Sequence, residues 1–190
     1  WYSGKSLMDY SDMVVKNAWA KHDESALDMM WYLWCGNDSP FSGRVFHTFE
    51  RGVVDDESTW AEPKNPYFSF WEDEKVVGMI LSEFGLDPEN GHIINGHTPV
   101  KAKKGESPVK AGGKLFIIDG GFCEAYQKTT GIAGYTLVFN SHGLKIKAHK
   151  PFEGVAAAID DNADIESEAV QVESFERRRY ICLLYTSPSP

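Results

Sequence analysis

The residues best suited to chemistry lie in Ile93-Ile94-Asn95-Gly96-His97-Thr98-Pro99-Val100. A short apolar run delivers a glycine, then a histidine, then a proline-containing turn. Glycine lets the backbone approach a ligand closely, and a strand end carries the imidazole to the rim of a sheet. Pro99 stiffens the exit. A neutral imidazole nitrogen suits a transition-metal ion when a neighbour orients the other nitrogen. A lone Gly-His after a strand also serves purely structural ends, so the motif alone leaves both readings open. Lys101, Lys103, Lys104, Lys110 and Lys114 follow in a basic, glycine-containing excursion. Asp119-Gly120-Gly121 ends the next apolar run. That carboxylate either orients His97 or caps backbone N–H groups in a turn. Thr129-Thr130-Gly131-Ile132-Ala133-Gly134 offers either an anion nest or a plain glycine turn. His22, His47, His92, His142 and His149 have no partners at metal-ligand spacing; His92 reads as structural and His142 as a solvated turn residue.

These groups need elements to position them. Ser6–Ala20 carries an apolar stripe of helical period. Asp23 is placed to cap a second helix, Glu24–Cys35, with Gly36 to stop it. That helix is apolar all round (Leu27, Met29, Met30, Trp31, Tyr32, Leu33, Trp34), a pattern that predicts burial between other elements. Residues 37–66 read as a long ordered loop. Glu72–Phe84 is a third helix closed by Gly85, with Pro88 beyond. From His92 the character changes: His92–Asn95 and Leu115–Asp119 read as strands, and Gly134–Asn140 with Leu144–His149 as a hairpin. Helices followed by a mainly antiparallel strand set make the fold class α+β. The expected divisions are a helical segment with a long loop (1–90), a β-rich part (91–152), an acidic extension (153–180) and a tail (181–190). That tail, ICLLYTSPSP, resembles non-native read-through and is set aside, and a first residue of Trp suggests a reading frame that began upstream.

Composition narrows the function classes. The chain has 190 residues, 42% hydrophobic and 25% charged, with a net charge of -9. Such a balance argues against a nucleic-acid binder, while still allowing a local cationic pocket. The three cysteines, Cys35, Cys123 and Cys182, form no CxxC pair, which fits a reducing, cytoplasmic setting. No apolar run approaches membrane-spanning length.

Over most of its length the sequence resembles class III fructose-1,6-bisphosphatases, members of the calcineurin-like metallophosphoesterases. The resemblance is carried by GHIINGHTPVKAKKGESPVKAGGKLFIIDGGF, AYQKTTGIAGYTL and NSHGLKIKAHKPFE, and upstream by YSGKSLMDYSDMVVKNAW, ALDMMWYLWCG, TFER and EFGLDPENGHIINGH. It covers Tyr2 to Phe152 and continues more weakly to Arg179.

The resemblance implies the C-terminal part of an αββα sandwich, two packed sheets with helices outside. It also implies a two-metal site, usually manganese, and hydrolysis of fructose 1,6-bisphosphate to fructose 6-phosphate in gluconeogenesis. Two such ions clamp a phosphoryl group and activate the attacking water. His97 matches the late Gly-His metal ligand. Pro99 stands where many relatives have a second histidine, and no Gly-Asp-x-x-Asp or Gly-Asn-His motif occurs in the chain. One imidazole is too few for a catalytic metal, so these residues alone are expected to be inactive. Toward the two phosphates the resemblance nominates Lys101, Lys104, Lys110 and Arg51, each of which also reads as an ordinary solvated or paired cation. Asp119 becomes a candidate partner to His97. A phosphoprotein or dinucleotide phosphatase of the same superfamily, and a non-catalytic binding module, remain as alternatives.

Overall fold

A computed structural model describes residues 1–121, 123–131, 134–149, 154–160 and 167–174. The chain divides into two compact units, Trp1–Pro88 and a second beginning at Glu89. The tail 181–190 lies outside the described residues.

The first unit is helical. α1 (Gly4–Lys21) buries Ser11, Val14 and Ala18, positions spaced three and four apart on one face. It packs on α2 (Glu24–Cys35), which begins where the Asp23 carboxylate accepts the Ala26 N–H at 3.2 Å and ends as Gly36 N–H reaches the Tyr32 carbonyl. α3 (Glu74–Glu83) is capped by Asp73, whose Oδ1 accepts from Lys75 and Val76 N–H at 2.9 and 3.2 Å. It buries Val77, Gly78 and Leu81, and Gly85 takes a left-handed φ of 73° just beyond its end. Asp73→Ala orphans two helix N–H groups and is expected to destabilise this unit by about 1 kcal/mol, read from denaturant unfolding.

Burial of α2 on all sides is not what the structure shows. Only Leu33 is buried, while Trp31 is 61% and Trp34 77% exposed, their rings meeting edge to face at 5.5 Å. α1 covers one strip of α2, and the remaining circumference has no cover within this unit among the described residues.

The segment between α2 and α3 is ordered by short 3-10 turns (Glu50–Gly52, Glu57–Trp60, Pro66–Ser69) and by a bridge pairing Arg44 with Lys64. Glu62 is its hub. Its Oε1 accepts the Thr48 N–H at 2.9 Å, which holds the carboxyl below the usual range, and Oε2 lies 3.4 Å from His47 Nδ1. A lowered carboxyl stabilises the folded loop above its ordinary titration range and loses that effect as pH falls through it. Tyr67, Phe68 and Trp71 form an aromatic cluster with ring centroids 5.1–6.1 Å apart.

The second unit holds two sheets. In the first, β1 (Ile93–Asn95) runs parallel to β3 (Leu115–Ile117), and β2 (Val109–Lys110) pairs antiparallel on the other edge of β3. Leu115, Phe116, Ile117 and Val100 are fully buried. Three buried residues in a row are the mark of a central strand covered on both faces. The other three pairings among the described strands are antiparallel, in line with a mainly antiparallel set; the parallel pair itself was not readable, because apolar runs this short carry no alternation from which to read pairing direction.

The second sheet is an antiparallel meander of β4 (Gly134–Asn140), β5 (Gly143–His149) and β6 (Ser167–Ser174). Ser141 and His142 make the two-residue turn, with His142 N–H donating to Asn140 Oδ1 at 2.9 Å. Gly143 has φ 136°, and a Cβ there would collide with the Glu173 carbonyl, so the β5–β6 approach requires glycine. Among the described residues the unit also has two short helices, α4 (Glu124–Thr130) and α5 (Val155–Asp160). α5 falls in the acidic stretch beyond Phe152, where helical and strand signals are weak, whereas α4 was not anticipated. α4 is only seven residues long and largely polar, and such a run has no apolar stripe to betray it. The result is an α+β chain, as the element order implied.

Candidate functional site

β1 and β3 run in the same direction, so their carboxyl ends open on one edge of the sheet. The ladder continues past the strands: Ile118 N–H donates to the Asn95 carbonyl, and Val100 N–H to the Asp119 carbonyl, each at 2.9 Å. His97 follows β1 and Asp119 follows β3. Ligand sites in sheets with parallel strands form outside such carboxyl ends.

His97 is exposed and has a left-handed φ of 67°. For a residue other than glycine this costs about 1–2 kcal/mol. Thr98 N–H closes a tight turn onto the Gly96 carbonyl at 2.8 Å, and the fully buried Val100 anchors the far side. The chain therefore holds its imidazole outward on a strained, well-anchored turn. Strain of this kind clusters at functional positions. Asp119 is half-buried, and its Oδ1 accepts the Gly121 N–H at 2.8 Å. That is the turn-capping arrangement, made at the same sheet edge as His97.

The lysines divide by what their amines meet. Lys103 Nζ donates to the Lys128 carbonyl at 2.8 Å in the last turn of α4, so it caps that helix. Gly131 closes the same helix at φ 82°, where a Cβ would press into the Lys103 side chain. The stretch read as an anion nest thus begins as a helix C-cap, and residues 132 and 133 fall outside the described residues. Lys110 is buried, with Nζ 3.8 Å from Glu106 Oε1; Lys114 Nζ is 3.2 Å from Glu89 Oε2. Glu106 also accepts the Lys101 N–H at 2.9 Å and, with burial as the larger cause, pushes the Tyr135 hydroxyl above its ordinary range. Lys101 and Lys104 are exposed, and their amines make no ion pair among the described residues. Lys101 precedes, and Lys104 ends, the 3-10 turn Ala102–Lys104 that follows His97. Of the residues nominated for phosphate, Lys101 and Lys104 share this loop, and Lys110 is turned into a buried ion pair. Arg51 belongs to the first unit, its Nη2 3.4 Å from the Trp60 carbonyl.

Among the described residues, no three His, Cys, Asp or Glu side chains converge as metal ligands do. His97 offers one ring nitrogen at the sheet edge, and the described residues do not make a complete metal site around it.

A family model described as firmicute fructose-1,6-bisphosphatase matches residues 1–182. Three similar curated proteins are each named fructose-1,6-bisphosphatase class 3. The one from Clostridium novyi (strain NT) is 50% identical over 186 residues, covering 95% of this chain and 28% of the relative. The one from Clostridium botulinum (strain Hall) is 51% identical over 184 residues, 94% of this chain and 28% of the relative. The one from Clostridium tetani is 50% identical over 186 residues, with 95% and 28% covered. No solved structure matches. The chain belongs to the firmicute fructose-1,6-bisphosphatase family and spans 28% of the length of these relatives. No helix among the described residues is long and apolar enough to cross a membrane.

Proposed function

We propose that this chain is the C-terminal part of a metal-dependent class III fructose-1,6-bisphosphatase that releases phosphate from fructose 1,6-bisphosphate in the cytoplasm, in gluconeogenesis. The observation that carries this reading is His97, an exposed imidazole held in a left-handed turn at the carboxyl end of a parallel strand. The identity to class 3 relatives supports the substrate. In the proposal the intact core is an αββα sandwich, to which the β1-β3-β2 and β4-β5-β6 sheets contribute. A manganese pair held there would supply positive charge to polarise the phosphoryl group and activate water. His97 provides one ligand and the remaining donors come from the rest of the longer protein.

The roles of this chain's own residues follow from their placement. His97 offers a neutral ring nitrogen. Asp119, on the adjacent strand end, holds the neighbouring turn shut through Gly121. Lys101 and Lys104 bring positive charge to the loop just beyond, suited to a substrate phosphate. Lys110 keeps Glu106 company within the loop and so shapes it.

The proposal has a direct assay. A chain extended to the length of the clostridial relatives is expected to hydrolyse fructose 1,6-bisphosphate when manganese is supplied, in preference to phosphopeptides and dinucleotides. Preference for either of those would shift the assignment within the superfamily. The 190 residues alone are expected to hydrolyse none of them and to bind manganese only weakly, because one imidazole falls short of the three protein ligands a catalytic metal needs. Calorimetric titration of manganese into the isolated chain gives the measure; micromolar affinity would contradict the donor count.

A further inference from the structure

His92 stands just before β1, outside the site described above, and both of its ring nitrogens face acceptors. Nδ1 lies 3.1 Å from the Gly113 carbonyl oxygen, and Nε2 lies 3.2 Å from Glu173 Oε2 on β6. The ring is tilted against Phe116 at 5.2 Å between centroids. A carbonyl oxygen only accepts, and an ionised carboxylate only accepts. A neutral imidazole carries one N–H and can satisfy one of the two; the imidazolium carries two and satisfies both. Each partner belongs to a different part of the unit: Gly113 ends the 3-10 turn between β2 and β3 of the first sheet, and Glu173 lies on the edge strand of the second.

One unbalanced charge faces the ring. His92 borders a cavity of about 150 Å³ also lined by Glu89, Asn90, Gly112, Gly113, Lys114, Val172 and Glu173. The charged groups facing it among the described residues are Glu89, Lys114 and Glu173, and Lys114 is paired with Glu89. That leaves the Glu173 carboxylate as the charge for the imidazolium to balance. The ring is about three-quarters shielded, with a side-chain exposure of 24%, so the pair is less screened than a surface ion pair.

We propose that His92 is a proton-dependent clasp that fastens β6 to the first sheet. With the imidazole protonated, one ring bonds the Gly113 carbonyl and the Glu173 carboxylate together. When the proton is lost, one of the two bonds goes with it, as does the attraction of opposite charges across the ring, so β6 is held less tightly to the first sheet. Histidine is the side chain that makes this change between about pH 5 and 8. The clasp is closed at the acidic end of that window and opens as pH rises.

The test uses the full 190-residue chain. Long-range nitrogen–proton spectra of His92 at pH 6 are expected to show protons on both ring nitrogens. Amide hydrogen-exchange protection at Val170 and Val172 is expected to fall about tenfold between pH 6 and pH 8, after correction for intrinsic exchange. Glu173→Gln keeps the shape of the side chain but removes its charge, and is expected to flatten that pH dependence. His92→Gln is expected to do the same, and Glu173→Gln, on an edge strand, serves alone if that variant fails to fold. A neutral ring at pH 6 in the wild-type chain would overturn the clasp. So would equal pH dependence of β6 protection in the wild type and Glu173→Gln.

Discussion

In a chain extended to the length of its clostridial relatives, His97→Ala is expected to lower manganese-dependent release of phosphate from fructose 1,6-bisphosphate by more than about 100-fold. Losing a residue that only supports a metal ligand commonly costs 10–100-fold, and loss of the ligand itself removes a bond to the ion. The exposed position of His97 means that this change removes little packing. Its backbone does matter, because φ is 67° and alanine is strained there. His97→Asn separates the two effects: asparagine tolerates the left-handed region but replaces the imidazole. It is expected to keep the unfolding midpoint and to lose activity as fully as alanine does. His142→Ala, in the exposed β4–β5 turn, is expected to leave turnover unchanged. A His97→Asn enzyme with wild-type turnover would exclude the imidazole as a ligand.

The second large effect concerns stability. Phe116→Ala is expected to destabilise the second unit by about 3–5 kcal/mol. Phe116 is fully buried at the centre of β3, with β1 on one edge and β2 on the other. Its ring also supports the His92 imidazole. Domain stabilities are about 5–15 kcal/mol, so this one truncation removes a large share of the stability of a unit at the low end of that range. Phe139→Ala is the contrast. That ring is 62% exposed on β4, and its loss is expected to change stability by less than about 0.5 kcal/mol. Denaturant unfolding of the two variants side by side reads the difference directly; similar midpoints would mean that β3 does not form the core of the unit.

Much of the local structure was legible because its signals are local. Asp23 and Gly36 bracket α2, Gly85 closes α3, and the alternation on either side of Asn140-Ser141-His142-Gly143 gives the hairpin, whereas Asp73, which caps α3, lay inside the helix read from Glu72. The misses depend on what lies across space. The tryptophans of α2 look like core residues in the sequence, yet burial requires a covering surface, and α1 supplies only a strip. Lys101 to Lys114 form one basic run in the chain, but a flexible four-carbon stem lets each amine find a different partner. Lys103 goes to a helix end, Lys110 to Glu106 and Lys114 to Glu89. The His92 link to Glu173 joins residues 81 positions apart, beyond any motif. The strand–glycine–histidine order was enough to place His97 just past the end of β1. The parallel pairing that puts Asp119 beside the same edge was not readable from two three-residue apolar strands.

Anomalous scattering at the manganese edge, collected from crystals of the extended enzyme soaked in manganese, tests the site most directly. A peak at bonding distance from a ring nitrogen of His97, beyond the end of β1, is the expected result. Manganese peaks bound elsewhere, with the His97 imidazole left in solvent, would contradict it.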